Sequence, residues 1–146
     1  MRIHEGNYLM LDSNYVVGLT DGEGSFTFRL NVNPSRRNRM EPRFYIKLQA
    51  KDKSLIDEVQ KFFGCGKVYI QRDRRPRHSD CYRFEIGNRY DLLSVIIPFF
   101  RRHPLYIPSK QKDFELFCRA MELFRAGEHL TEEGMRQLET IKAEMH

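Results

Sequence analysis

Residues 25–33 and 43–49 alternate apolar and polar side chains, and this period of two limits the fold more than any other feature of the chain. Successive side chains of a strand point to opposite faces of a sheet, so the alternation predicts two strands that are each buried on one face. The stretch from Pro34 to Pro42 between them contains turn-forming and basic residues. It therefore predicts an antiparallel hairpin with a long loop.

A second and weaker pair of alternating segments occupies residues 67–71 and 81–86. The loop that joins them, from Arg72 to Asp80, is strongly basic. Together the two hairpins predict a four-stranded antiparallel sheet that is buried on one face and polar on the other.

Apolar residues at helical spacing fill the intervals between the predicted strands. Residues 55–63 repeat with the period of an amphipathic helix that stops at Gly64, and residues 90–100 form a second helix that ends before Pro104. Further helices are predicted across about residues 111–145, the first closing near Gly127 and the last opening at Thr131. We expect these apolar stripes to pack into the core.

An opening helix over residues 13–24 completes the order αββαββα, followed by a further helix. This order predicts one α+β domain over residues 1–146, with helices on the apolar side of the sheet. The chain has 40% hydrophobic residues, including 11 Phe and 7 Tyr, which is enough apolar surface to exclude a disordered chain. No apolar stretch approaches the ~18 residues that a membrane span needs, so no membrane partner is expected.

Basic residues are concentrated on the predicted sheet. Residues 25–53 carry eight basic and two acidic side chains, and residues 67–83 carry six basic and two acidic ones. Residues 113–146 reverse the balance, with four basic and eight acidic side chains. This distribution predicts one basic surface that suits an anionic partner such as a nucleic acid.

The end of the opening helix carries the most distinctive local sequence. Asp12 or Ser13 can cap the start of this helix, and its end runs through Gly22-Glu23-Gly24 into the first strand. Glycines on both sides of Glu23 allow a sharp turn and the close approach of another chain or a phosphate. The alternative is a strained turn with a solvated glutamate.

Residues 16–26, Val-Val-Gly-Leu-Thr-Asp-Gly-Glu-Gly-Ser-Phe, resemble the LAGLIDADG motif of homing endonucleases and of related group I intron maturases. Outside the motif, the resemblance extends to residues 44–52, 62–69, 97–105 and 110–117. The order αββαββα is also the order of that family. The resemblance implies a fold of this type over most of the chain.

The resemblance implies that Glu23 holds a divalent metal, Mg²⁺ or Mn²⁺, with the backbone carbonyl of Gly22 as a neighbouring ligand. Asp21 matches the other acidic position of the motif, which is mainly structural in the family. Metal-assisted hydrolysis of a phosphodiester needs few protein ligands, since Mg²⁺ retains waters and accepts phosphate oxygens.

Two further catalytic residues are implied by the resemblance. Gln49 matches a polar residue that orders water near the scissile phosphate, and Lys110 matches a basic residue that positions water or stabilises charge on that phosphate. A DNA contact or a solvated side chain is the alternative for Gln49. Lys112 is the alternative for Lys110.

A cut through both strands needs two active sites, whereas this chain carries one motif. The resemblance therefore implies a homodimer in which the opening helices of two copies meet along Tyr15, Gly18, Leu19 and Gly22. Gly18 has no side chain, so it allows close contact with another helix.

The polar face of the sheet is predicted to bind DNA, because a β-ribbon fits the major groove. The residues expected on that face are Ser25, Thr27, Arg29, Asn31, Arg43, Tyr45, Lys47, Lys67, Tyr69, Gln71 and Arg83. The two loops are expected to hold phosphates through Arg36, Arg37, Arg39, Arg72, Arg74, Arg75 and Arg77.

The resulting hypothesis is an intron-encoded homing endonuclease that makes double-strand cuts in a long, roughly palindromic DNA target. Two alternatives share the fold: a maturase that binds its intron RNA, and a DNA-binding regulator that does not cut. The resemblance implies an intracellular location, either in a chloroplast or mitochondrion or in a bacterial cytoplasm.

Overall fold

The computed structural model describes residues 2–4, 8–30 and 40–146. The strands and helices are β1 (Arg2–His4), β2 (Tyr8–Met10), α1 (Ser13–Glu23), β3 (Gly24–Leu30), β4 (Met40–Gln49), α2 (Lys53–Phe63), β5 (Lys67–Gln71), β6 (Cys81–Ile86), α3 (Arg89–Asp91), α4 (Ile97–Arg102), α5 (Pro108–Arg125) and α6 (Glu132–Glu144). A π-helical segment, Leu92–Ile96, joins α3 to α4, and short 3₁₀ turns precede α2 and α6.

The main sheet has four antiparallel strands in the order β3-β4-β6-β5, which confirms the predicted sheet. The register aligns apolar residues across the strands: Phe26 lies opposite Phe44, and Phe44 lies opposite Ile86. Because the side-chain period is two, the intervening positions all point to the other face. The predicted division into an apolar and a polar face is therefore confirmed.

Helices α2 and α5 pack against the apolar face of the sheet, α2 on β4 and β6 and α5 on β3. The centre of this contact is aromatic: the Phe26 ring lies 5.1 Å from that of Phe44, 5.6 Å from that of Phe100 and 5.5 Å from that of Phe117. These rings are fully or almost fully buried. Burying one such side chain contributes ~1.5–3 kcal/mol, so the core holds the polar face in a fixed geometry.

Helix boundaries follow local chemistry. Helix α2 ends at Gly64, whose φ of 71° is the left-handed conformation that glycine adopts without strain. Helix α6 begins after Thr131, whose side chain accepts a hydrogen bond from the Gly134 N–H at 2.9 Å. Within the described residues, no helix is both long and apolar enough to cross a membrane.

Three boundaries differ from those predicted. Strand β4 begins at Met40, so Pro42 belongs to the strand and not to the loop. Pro42 is tolerated there because β6 pairs with β4 only from Phe44 onwards, which leaves β4 one neighbour at that point. Helix α5 begins at Pro108 and not at about residue 111, and α1 ends one residue earlier than predicted, whereas the break near Gly127 lies where it was predicted.

The N-terminal pair β1 and β2 was not predicted. Its strands are three residues long, and a segment of that length shows too few alternations to distinguish a strand from a loop.

A buried histidine, His129, lies in the turn that precedes the last helix. The His129 ring lies 5.1 Å from the Phe124 ring, and its Nε2 lies 3.4 Å from Nη1 of Arg89. Arg89 can only donate, so Nε2 accepts and the ring is neutral. Burial, together with the Arg89 charge, lowers the pKa of His129.

This lowered pKa predicts acid sensitivity of the fold. Protonation is easier in the unfolded chain, where histidine titrates near ~6.5; stability is therefore complete above that pH and falls below it. We expect the urea midpoint to drop between pH 7.5 and pH 5.5 by more in the wild type than in His129→Gln. Equal drops in the two proteins would assign the acid sensitivity to other groups.

Candidate functional site

The junction between α1 and β3 presents an acidic side chain to solvent. The Asp12 carboxylate caps α1 by accepting a hydrogen bond from the Tyr15 N–H at 2.8 Å. The helix ends at Glu23, and Gly24 begins the strand. A Cβ atom on Gly24 would lie 2.6 Å from Thr20 Cγ2, so only glycine fits there without rearrangement. Glu23 is exposed at this turn.

Asp21 is buried and holds the start of α5 against the end of α1. Its carboxylate accepts hydrogen bonds from the backbone N–H groups of Tyr106 at 2.9 Å and Ile107 at 3.2 Å. The two donors belong to the N-cap residue Ile107 and the residue before it, directly ahead of α5, where backbone N–H groups have no partner within the helix. Asp21 is therefore built into the fold, whereas Glu23, two residues later, faces solvent.

Lys110 reaches the same junction from α5. Its Nζ donates a hydrogen bond to the Gly24 carbonyl, directly after Glu23 in the chain. Lys112 is exposed and lies two positions further along α5, which turns it ~200° around the helix axis. The structure thus brings Lys110 to the Glu23 junction, and this contact favours Lys110 over Lys112 for a role there.

Gln49 lies at the end of β4, exposed and on the polar side of the sheet. Gly24 pairs with Ile46, so Gln49 is three residues beyond the partner of the junction, about 10 Å along the strand. Glu23, Lys110 and Gln49 therefore share one end of the sheet.

Helix α1 has a face that carries two glycines. Tyr15, Gly18, Leu19 and Gly22 follow the spacing of one side of a helix. Both glycines are exposed, and a Cβ atom added to either would meet no described atom within 4 Å. Another helix can therefore approach the α1 backbone closely along this face.

The register places the predicted DNA-binding residues of the sheet on one face. The residues that lie there are Ser25, Thr27, Arg29, Arg43, Tyr45, Lys47, Lys67, Tyr69, Gln71 and Arg83. The loop residues Arg72, Arg74, Arg75 and Arg77 are all exposed. Asn31, Arg36, Arg37 and Arg39 lie outside the described residues.

The loop between β5 and β6 is organised by its own carboxylates. Asp73 accepts hydrogen bonds from Arg75 Nη2 at 2.7 Å and from the Arg75 N–H at 3.0 Å, and these bonds hold the pKa of Asp73 well below its usual value. The Asp80 carboxylate in turn accepts from the Asp73 N–H at 2.8 Å. Arg74 and Arg77 are presented on this ordered loop.

Glu85 is a residue of the polar face that was not predicted from the sequence. Its carboxylate lies 2.7 Å from Arg83 Nη2 and 3.6 Å from Arg43 Nε, and it accepts a hydrogen bond from the Tyr69 hydroxyl at 3.2 Å. The Arg83 guanidinium also lies over the Tyr45 ring at 3.6 Å. The sequence signal that could have identified Glu85 is the alternation in β6: it follows Arg83 by two residues and so lies on the same face, beside Tyr45 and Lys67.

The oxygen donors at the junction suit a hard divalent cation. The described residues contain no group of three or more His, Cys, Asp or Glu side chains able to enclose a metal by themselves. Glu23 is exposed, and Gly22 lies in the last turn of α1, where backbone carbonyls have no partner within the helix. The junction therefore offers one carboxylate and a backbone carbonyl. Mg²⁺ is commonly bound through one or two carboxylates, with waters and phosphate oxygens completing its shell. The donor set therefore fits Mg²⁺ or Mn²⁺ shared with a bound phosphate.

Comparison with known proteins identifies similar chains. The sequence model of the LAGLIDADG endonuclease family matches residues 16–121. The chain is 36% identical over 132 residues to the probable intron-encoded endonuclease 3 of Neurospora crassa, an alignment that covers 88% of this chain and 24% of that protein. The chain thus spans about a quarter of the length of this fungal relative.

Solved structures show the same fold. The crystal structure of the homing endonuclease I-TnaI superposes with a TM-score of 0.81 at 34% identity, covering 94% of this chain and 90% of that one. The LAGLIDADG meganuclease I-CpaMI, bound to uncleaved DNA, superposes with a TM-score of 0.82 at 30% identity, covering 93% of this chain and 44% of that one.

Proposed function

The chain belongs to the LAGLIDADG endonuclease family, and from this membership we propose that it is a homing endonuclease that hydrolyses one phosphodiester bond in each strand of a duplex DNA target. The observation that carries the proposal is the exposed Glu23 carboxylate, at the end of the sheet that Lys110 also reaches. The basic face of the same sheet supplies a surface for the duplex. Relatives named as endonucleases and the DNA-bound structure of I-CpaMI support the same function.

In this proposal, the Glu23 carboxylate and the Gly22 carbonyl would hold Mg²⁺ or Mn²⁺. Such a cation supplies neutralisation of the charge that develops on the attacking and leaving oxygens of the phosphate. Lys110 adds a positive charge beside the same phosphate, anchored by its hydrogen bond to the Gly24 carbonyl. Gln49 has both a donor and an acceptor with which to orient a water molecule.

Two copies of the chain are needed, since one motif gives one Glu23. We propose that the α1 helices pair through Tyr15, Gly18, Leu19 and Gly22, so that the two Glu23 side chains lie on either side of the dimer axis. The 90% coverage of I-TnaI, a chain of about the same length, supports an active unit of this size. A two-fold dimer reads a roughly palindromic target, because each copy contacts one half-site.

The test offers the chain a duplex that spans the uninterrupted insertion site of its intron. Reactions contain Mg²⁺, Mn²⁺ or EDTA, and the ends of both strands are mapped. The proposal expects one staggered double-strand break at a single position with either metal, and none in EDTA. An intact duplex under all three conditions would contradict it; tight binding of the intron RNA in that case would identify a maturase, and metal-independent binding of the duplex a regulator.

A further inference from the structure

Glu85 is an acidic residue within the basic, polar face of the sheet. It lies on β6 between β4 and β5, and its carboxylate contacts side chains from all three strands: Arg43, Tyr69 and Arg83. Each of these three residues was predicted to bind DNA. Glu85 is therefore the point at which these candidate DNA-binding side chains are joined.

The contacts restrain two arginines that would otherwise be mobile. The Arg83 side chain is 19% exposed, since Glu85 holds one end of its guanidinium and the Tyr45 ring covers its plane. Among the described residues, its Nε is buried without a hydrogen-bond partner. Arg43 is 16% exposed, between Glu85 and Glu41, whose Oε2 lies 2.8 Å from Arg43 Nη2. Charge-assisted pairs of this kind fix the guanidinium plane as well as its position.

The same contacts reduce the positive charge that this part of the sheet offers. An arginine paired with a carboxylate has less charge available for a phosphate, and withdrawing it from the pair costs the pair's own attraction. Burial also raises the pKa of Tyr69, with Glu85 as a further cause, so its hydroxyl remains a hydrogen-bond donor. The arginines paired with Glu85 are therefore restrained and partly neutralised, whereas the loop arginines Arg74 and Arg77 are exposed.

We propose that Glu85 is a positioning residue for sequence recognition: it holds Arg43, Arg83 and Tyr69 in the orientation that reads base edges and withholds the two arginines from phosphates. This inference rests on the proposed function, because it requires that the face bind DNA. The loops then supply DNA affinity that is independent of sequence, and Glu85 with its three partners supplies discrimination between sequences.

Glu85→Gln is expected to raise the affinity for unrelated DNA and to lower the discrimination between sequences. Glutamine keeps the size and one acceptor oxygen but removes the negative charge, so Arg83 becomes available to phosphates. Arg43 loses one of its two carboxylate partners and keeps its pair with Glu41. Affinity for unrelated DNA is expected to rise about 3- to 10-fold near 0.1 M salt, and the slope of log K against log salt to steepen by ~1. The ratio of target to non-target affinity is expected to fall ~10-fold or more, since a well-held bidentate contact is lost.

The experiment uses two duplex probes, one enriched by the wild-type chain from a random library and one with the same composition in scrambled order. Dissociation constants are measured for both probes at several salt concentrations in EDTA, which prevents cleavage. Glu139→Gln, on the exposed side of α6, is the control that changes net charge equally away from the sheet. Thermal unfolding confirms that each variant is folded.

An unchanged affinity ratio in folded Glu85→Gln, or an equal change in Glu139→Gln, would overturn the inference and leave the proposed function intact. A wild-type chain that enriches no sequence would overturn both. Should Glu85→Gln fail to fold, Arg83→Lys tests the same cluster, because it keeps the charge but loses the planar fork. That variant should lose target affinity ~10-fold and keep scrambled-probe affinity within about 2-fold; equal losses on both probes would overturn the inference.

Discussion

Replacing Glu23 with glutamine is expected to slow duplex cleavage by at least ~10³-fold, because the proposed divalent cation would lose its one anionic protein ligand from each copy. A loss of this size corresponds to ~4 kcal/mol of transition-state stabilisation. The side chain is exposed, so stability should change by less than ~0.5 kcal/mol. Binding should persist, since the proposed DNA contacts lie on the sheet and its loops. Single-turnover cleavage and a binding assay of the same variant measure the two quantities separately.

Glu139→Gln is again the control, with cleavage expected at the wild-type rate. If Glu23→Gln cut DNA as fast as the wild type, the catalytic assignment would fall even though the family membership would stand. If it lost binding along with cleavage, Glu23 would contribute to affinity, and the division between a catalytic junction and a binding sheet would be wrong.

Gly18→Leu is expected to produce the second large effect, and in two opposite directions. In the isolated chain the new side chain enters open space, because no described atom lies within 4 Å of a Cβ at this position. Replacing glycine inside a helix should therefore raise monomer stability by about 0.5–1 kcal/mol. The same leucine would prevent the proposed close approach of two α1 helices. Double-strand cleavage should be lost, and sedimentation should show a monomer.

Ala143→Leu is the matched control, because it adds an exposed leucine near the end of α6 and leaves the α1 face unchanged. That variant should remain dimeric and active. A Gly18→Leu protein that stays dimeric and cuts both strands would show that the copies meet through another surface.

Periodicity was sufficient to predict the sheet and its two faces. The alternation in residues 25–33 and 43–49 places Phe26 and Phe44 on the same side, and the observed pairing of those two residues follows directly. Gly64 likewise marked the end of α2, and Thr131 marked the start of α6. Such signals are local, since each depends on the conformational preference of one residue or a short segment.

Contacts between distant segments could not be read from spacing. Asp21 binds backbone N–H groups that are 85 and 86 residues away, and no local pattern distinguishes it from Glu23 as the buried acid. Lys110 and Lys112 have the same chemistry and differ in their position around α5. Lys110 contacts the α1–β3 junction, whereas Lys112 is turned ~200° around the helix axis. Glu85 became evident once strand register placed it beside Tyr45 and Lys67, within reach of Arg43 on β4 and of Arg83 on its own strand.

The resemblance of residues 16–26 to a known motif suggested the role of Glu23, which composition and spacing left open. Composition and spacing alone allowed a strained turn with a solvated glutamate at Glu23. The structure shows an exposed carboxylate at a junction held by Asp21, Gly24 and Lys110. These three residues fix the turn between α1 and β3, so the Glu23 carboxylate is presented at a defined point.

The central claim is that each copy of the chain contributes one Glu23 to the cutting of one strand. A mixed dimer tests it most directly: wild-type and Glu23→Gln copies carry different affinity tags, are co-expressed, and are purified through both tags. With Mg²⁺ the mixed dimer should nick one strand of each target duplex and leave the other intact. Cleavage of both strands at the wild-type rate, or of neither strand, would contradict the claim.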